Sequence, residues 1–163
     1  MTNEQPDTPE SLLDADGRIA ARRKRRIKTP PIQEAAASVL NAFESGCASS
    51  MLVGKPRLGK TFGARWICEA IEELFAPIFW FEIPFQIDTS QSEGKFFQHV
   101  LSCLPHSYLK NRERGVVRAR TEEFLIERAS DSPSGTVILL LDEAQNLTPR
   151  HWTYLAELSN KID

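Results

Sequence analysis

The chain has 163 residues, enough for one domain and short for two. Hydrophobic residues make up 41%, an ordinary share for a globular protein with a core, and the net charge of −2 does not mark a bulk nucleic-acid binder. No apolar run approaches the roughly 20 residues needed to cross a bilayer, and the first twenty residues are too polar for a secretion signal, so a soluble, cytoplasmic protein with no membrane partner is expected. Cys47, Cys68 and Cys103 lie far apart without metal-ligand spacing, which suits a reducing compartment and small core thiols.

Charge is segregated along the N-terminal part. Residues 1–17 hold Glu4, Asp7, Glu10, Asp14 and Asp16 with no basic group, and lack apolar periodicity. Residues 18–28 are strongly basic: Arg18, Arg22, Arg23, Lys24, Arg25, Arg26 and Lys28. The stretch 1–28 therefore reads as a disordered acidic tail and a basic arm. The arm is either a solvated linker or a contact for nucleic-acid phosphates.

Order is expected from residue 29. Thr29 followed by Pro30 is a helix start, Ile32, Ala36, Val39, Leu40 and Phe43 recur at helical spacing, and Gly46 stops the helix. Ser49 to Val53 is a short, mostly apolar run ending at Gly54, as a buried strand would be. A helix from Lys60 to about Phe75 follows the loop 54–59, with Phe62, Trp66, Ile67, Ala70, Ile71 and Leu74 on its apolar face. Ile78 to Ile83 is a second strand between Pro77 and Pro84. Ser92 caps a helix over 93–104 with Phe96, Phe97, Val100 and Leu101 inward, and a helix from about Val116 to Ala129 turns Val117, Phe124 and Leu125 inward. After the turn 131–135, Thr136 to Leu141 is the third strand, and Thr148-Pro149 opens a last helix. Trp66, Trp80 and Trp152 fit the core or its rim, and His99, His106 and His151 are surface or packing residues. Strands alternating with helices indicate an α/β fold, a parallel sheet flanked by helices.

Two motifs carry chemistry. Gly54-Lys55-Pro56-Arg57-Leu58-Gly59-Lys60-Thr61 matches the phosphate-binding loop at every fixed position. Gly54 and Gly59 permit backbone angles that side chains block, so inward N–H groups form an anion nest that the following helix, beginning with Lys60, Thr61 and Phe62, reinforces with its positive end. Lys60 reaches the β- and γ-phosphates, and the Thr61 hydroxyl ligates magnesium. About 80 residues on, Val137 to Leu141 ends in Asp142-Glu143, the Walker-B pattern. Asp142 holds magnesium, and Glu143 orients or deprotonates the attacking water. ATP and Mg2+ are the implied ligands. Gln145 and Asn146 follow, as a γ-phosphate sensor, a contact to a neighbouring subunit, or a polar cap region.

A Glu directly after the Walker-B Asp resembles the AAA+ branch of P-loop ATPases. The basic stretch leading into Thr29-Pro30-Pro31-Ile32, the loop 54–61 and Leu141-Asp142-Glu143-Ala144-Gln145-Asn146-Leu147 together resemble the ATPase regulators of DNA transposition, the TnsC and TniB type, over about residues 25–163. The resemblance implies Gly54, Lys60 and Thr61 as nucleotide ligands, Asp142 as the magnesium residue and Glu143 as the catalytic carboxylate. It also implies ATP-dependent assembly on DNA with other copies of the chain, and a transposase or target-selection protein as partner. The family core needs five strands, and this chain supplies three. The missing strand between the first and third carries a sensor residue, and the arginine finger lies further downstream. Residues 29–163 are accordingly expected to be a partial P-loop AAA+ domain, from a longer protein, a truncated product or a chain completed from elsewhere. Its activity is then ATP binding, with hydrolysis in a complete assembly. A helicase-related motor and a non-hydrolysing nucleotide-binding adaptor or fragment are the competing readings.

Overall fold

A computed structural model describes residues 29–75, 77–87, 92–105 and 114–162. The acidic tail and basic arm, residues 1–28, lie outside the described residues, as does His106. The chain divides into two units, Met1–Glu34 and Ala35–Asp163. Of the first, only Thr29 and the opening turn of a helix are described; Thr29 O accepts from the N–H groups of Ile32 and Gln33, each at 3.0 Å.

That helix, α1, spans Pro30–Glu44. Gly46 ends it as expected. Its φ is +72°, and the N–H groups of Gly46 and Cys47 donate back to the carbonyls of Phe43 and Ala42 at 3.0 and 2.9 Å. This is the double hydrogen bond that satisfies a helix C-terminus and that a left-handed glycine permits. The remaining elements are α2 (Lys60–Phe75), β1 (Phe79–Pro84), α3 (Glu93–Cys103), α4 (Arg114–Ser130), β2 (Val137–Asp142), a 3-10 turn (Ala144–Asn146) and α5 (Pro149–Ile162). No helix among the described residues is long and apolar enough to cross a membrane.

The sheet has two parallel strands, β1 beside β2, with Phe79 opposite Val137 and Pro84 opposite Asp142. Side chains alternate across it, so each face buries a different set. Phe81, Ile83, Val137, Leu139 and Leu141 join Phe97, Val100, Leu125, Tyr154 and Leu158 from α3, α4 and α5. Ile138 and Ile78 join Ala36, Ile67 and Ile71 from α1 and α2. Helices thus cover both faces, and the fold is an incomplete P-loop-type α/β sandwich. Phe97, Val100 and Leu125 are fully buried, each side chain stabilising the fold by about 1.5–3 kcal/mol.

The expected strand at 49–53 does not form. Met51 and Val53 are 70% and 84% exposed, although Leu52 packs against the α1–α2 cluster. A strand exists only when its N–H and C=O groups find a neighbouring ladder. Among the described residues no strand lies beside this segment. Two strands rather than three result. Every residue of β2 is half-buried.

Two smaller expectations also change, and a third is borne out. The buried face of α2 is Gly63, Ile67, Cys68 and Ile71; Phe62 and Leu74 turn outward at 40% and 66% exposure. Cys47 is exposed and Cys103 half-buried against the main core, so Cys68 alone of the thiols is buried, its pKa pushed up by burial to about 11. His151 is the packing residue the sequence allowed, buried against Phe96, and it also caps a helix. Its backbone N–H donates to Thr148 Oγ1 at 3.4 Å, and its Nδ1 accepts from Thr148 N at 3.3 Å. The reciprocal pair starts α5 as a Ser/Thr–Glu capping box starts other helices.

Candidate functional site

The loop 54–59 approaches α2 with two residues in left-handed backbone, Arg57 (φ 63°) and Gly59 (φ 75°). Gly59 meets the expectation that glycine supplies an angle other residues resist. Gly54 does not: its φ is not left-handed, and a Cβ there would meet nothing closer than 3.7 Å. The second left-handed position is instead Arg57, a residue with a full side chain. Gly59 O accepts from Gly63 N at 2.8 Å, which starts the first turn of α2 directly at the loop's end.

Lys60 and Thr61 occupy that first turn. Lys60 bends back over the loop, its Nζ donating to Gly54 O at 2.9 Å and to Lys55 O at 3.0 Å. The ammonium therefore sits over the loop, held by carbonyls at its entrance. Thr61 points to the sheet, and its Oγ1 donates to Asp142 Oδ1 at 2.9 Å. Residues 81 positions apart are brought together because α2 packs beside β2 and Asp142 is the strand's last residue. Lys55, Pro56, Arg57 and Leu58 are exposed around the loop.

One helical turn beyond Thr61, Arg65 forms a fork with Glu82 of β1: Nε to Oε2 at 2.7 Å and Nη2 to Oε1 at 2.5 Å. The hydrogen bonds that Arg65 donates to Glu82 raise its pKa most; burial opposes them, and the charges of Glu82 and Asp142 add to the rise. Further along, Trp80 Nε1 donates to Glu72 at 2.8 Å. Both bonds tie α2 to β1. Sequence reading did not find the Arg65–Glu82 pair, although two signals were present. Positions 61 and 65 share a helix face, and Glu82 interrupts an otherwise apolar strand.

Glu143 leaves β2 in left-handed backbone, φ 56° and ψ 38°. For a residue with a side chain this costs on the order of 1–2 kcal/mol. Its carboxylate is exposed and accepts from the Gln145 side-chain amide. Asn146 turns the other way, toward β1, where its Nδ2 donates to Phe85 O at 2.9 Å.

The donor set suits a phosphate and a hard cation. A threonine hydroxyl and an aspartate carboxylate are adjacent, the oxygen ligands that magnesium prefers. A lysine and a helix N-terminus stand beside them. Among the described residues there is no cluster of three His, Cys, Asp or Glu able to hold a metal by themselves.

A glycine–lysine loop opening a helix, with the helix's first hydroxyl bonded to a strand-end carboxylate, defines the P-loop class of nucleotide-binding proteins. A family model described as an AAA domain matches residues 43–163, and the chain belongs to that family of AAA-type P-loop ATPases. No curated protein and no solved structure matches the chain.

Proposed function

We propose that the chain binds ATP with magnesium at Gly54–Thr61 and that, in a complete assembly, it hydrolyses ATP as an AAA+ regulator of DNA transposition or target-site selection. The observation that carries the nucleotide reading is the Thr61–Asp142 hydrogen bond beside Lys60. Lys60 exchanges its two carbonyl partners for β- and γ-phosphate oxygens, and Gly54, which the backbone itself does not demand, leaves the inner side of the loop open to them. Backbone N–H groups of 55–61 hold the phosphates, with Phe62 next along the helix. Thr61 and Asp142 are the residues that would hold the magnesium ion, in place of their mutual hydrogen bond. A bound magnesium ion would supply neutralisation of the charge on the phosphates. Glu143 orients the attacking water and takes its proton.

The motif wording at 54–61 and 141–147 supports the transposition role, together with the basic arm, whose Arg22, Arg23, Lys24, Arg25, Arg26 and Lys28 would contact DNA phosphates. Other copies of the chain, and a transposase or target-selection protein, are the partners this role requires. One observation favours a second reading, a nucleotide binder without turnover: among the described residues the segment 49–53 has no strand partner, so the loop does not continue from a strand of the sheet.

A titration of fluorescent ATP, with and without magnesium, tests the nucleotide reading. Wild type is expected to bind and Lys60→Ala to lose most of the affinity; equal binding by both overturns it. Turnover by wild type and none by Glu143→Gln separates the ATPase from the binder. DNA retention that needs ATP, falls steeply with salt and disappears without residues 1–28 supports the transposition role. Retention that ignores nucleotide counts against it.

A further inference from the structure

The turn that carries Glu143 is pinned at both ends to one residue, Phe85, which directly follows β1. On one side, Phe85 N donates to Asp142 O at 3.0 Å. On the other, Phe85 O accepts from Asn146 Nδ2 at 2.9 Å. Between these anchors the backbone turns through left-handed Glu143 and the 3-10 turn, closed by Asn146 N to Glu143 O at 2.9 Å and Leu147 N to Ala144 O at 3.1 Å.

The anchor is itself fixed. Phe85 is buried, its ring stacked on Phe96 at 5.9 Å, and Phe96 stacks on His151 at 5.2 Å. His151 caps α5, so the wall behind the turn is continuous with the start of that helix. A left-handed residue with a side chain persists where its surroundings over-determine the backbone. Here the Asp142 bond belongs to the end of the sheet ladder. Asn146 supplies the second constraint, and it does so through a side chain.

We infer that Asn146 is the positioning residue for Glu143: by holding Phe85 O it sets the turn, and so directs the Glu143 carboxylate, without touching nucleotide itself. The inference rests on the reading of Glu143 as the carboxylate that orients water. Gln145, whose amide donates to that carboxylate, lies inside the pinned turn and is directed by the same bond. The polar run 145–146 then divides its work, one residue facing Glu143 and the next facing the protein.

The test uses the full chain and Asn146→Asp, which keeps size and shape but presents an acceptor to the Phe85 carbonyl. Asn146→Ala serves as the uncharged control. Two readouts are taken: MgATP affinity against the single-turnover rate, and the 13C resonance of the Glu143 carboxyl, assigned with Glu143→Gln. In both variants the rate is expected to fall about tenfold or more, as small misplacements of a reacting group do. Affinity should stay within about twofold, because the loop and Lys60 are untouched. The Glu143 resonance is expected to shift in both variants. A merely structural role would lower affinity and rate together or leave the resonance in place, and either result overturns the assignment. If wild type binds MgATP without turnover, the resonance decides alone. Wild type that binds no MgATP overturns the nucleotide reading and this assignment with it.

Discussion

Thr61 Oγ1 donates to Asp142 Oδ1 at 2.9 Å, joining the first turn of α2 to the last residue of β2. The bond links the two sequence motifs in space, and it is the contact that a bound cation would replace.

Its first consequence is for binding and stability together. Thr61→Ala removes a partly buried donor to a charged acceptor, so the ligand-free protein should lose about 1–2 kcal/mol. The same change should weaken nucleotide affinity in magnesium more than in its absence. Urea melts and paired titrations check both. A loss of affinity independent of magnesium would remove Thr61 from the metal site.

Arg65 and Glu82 give a contrasting expectation. The fork has good geometry, but the Arg65 side chain is 48% exposed and that of Glu82 23%. Solvent screening should keep the stability cost of Glu82→Gln at or below about 1 kcal/mol. Salt should shrink the difference between wild type and variant. Melts at low and high ionic strength measure it, and a large salt-independent loss would show a stronger role.

Acid sensitivity should come from Glu122. Burial opposes its charge, yet hydrogen bonds from Lys161 at 2.6 Å and Arg118 at 2.7 Å hold its carboxyl below the ordinary value of 4.5. Arg118 also reaches Glu93 and Glu157, so α3, α4 and α5 meet at this group. A carboxyl with a lowered folded pKa stabilises fully above its unfolded value and loses that contribution as pH falls through the folded one. Wild-type stability should therefore decline below about pH 4.5, and Glu122→Gln should decline less over the same range. Denaturant melts from neutral pH to pH 3 test the sign.

Burial sets the largest expected loss. Phe97 is fully buried between α3 and α5, with its ring 6.1 Å from Tyr154 and 5.2 Å from the Arg118 guanidinium. Phe97→Ala should cost about 3–5 kcal/mol, through lost transfer energy and the cavity left behind. A loss under about 1 kcal/mol in a chemical melt would mean that this core is not formed.

The exposed apolar segment makes a prediction about association. Met51 and Val53 lie outside a sheet whose strand β2 pairs only with β1 among the described residues. Unpaired strand edges beside exposed apolar side chains invite pairing with other chains. Sedimentation should show concentration-dependent association that Val53→Lys reduces. Identical behaviour of the two proteins would place the contact elsewhere.

Local chemistry was legible in the residue order. Thr29-Pro30, Gly46 and Thr148-Pro149 bound their helices where expected, because caps and glycine stops act within a few residues. The identity of the loop 54–61 and the acidic end of β2 were also readable, since each motif is contiguous. The strand at 49–53 was misread for the opposite reason. Its apolar pattern is local, but a strand's hydrogen bonds belong to its neighbour, and no described segment supplies one.

Sequence alone thus determined the two motifs, the alternation of helices and strands, and membership of a phosphate-binding α/β class. Tertiary structure decided what meets what: Thr61 with Asp142, Arg65 with Glu82, and Asn146 with Phe85. It also decided which glycine the loop's backbone requires, Gly59 and not Gly54. The division has a physical cause. Helix caps and loop motifs are set by neighbours along the chain, whereas these pairs are set by the packing of α2, β1 and β2, whose partners lie 17 to 81 residues away.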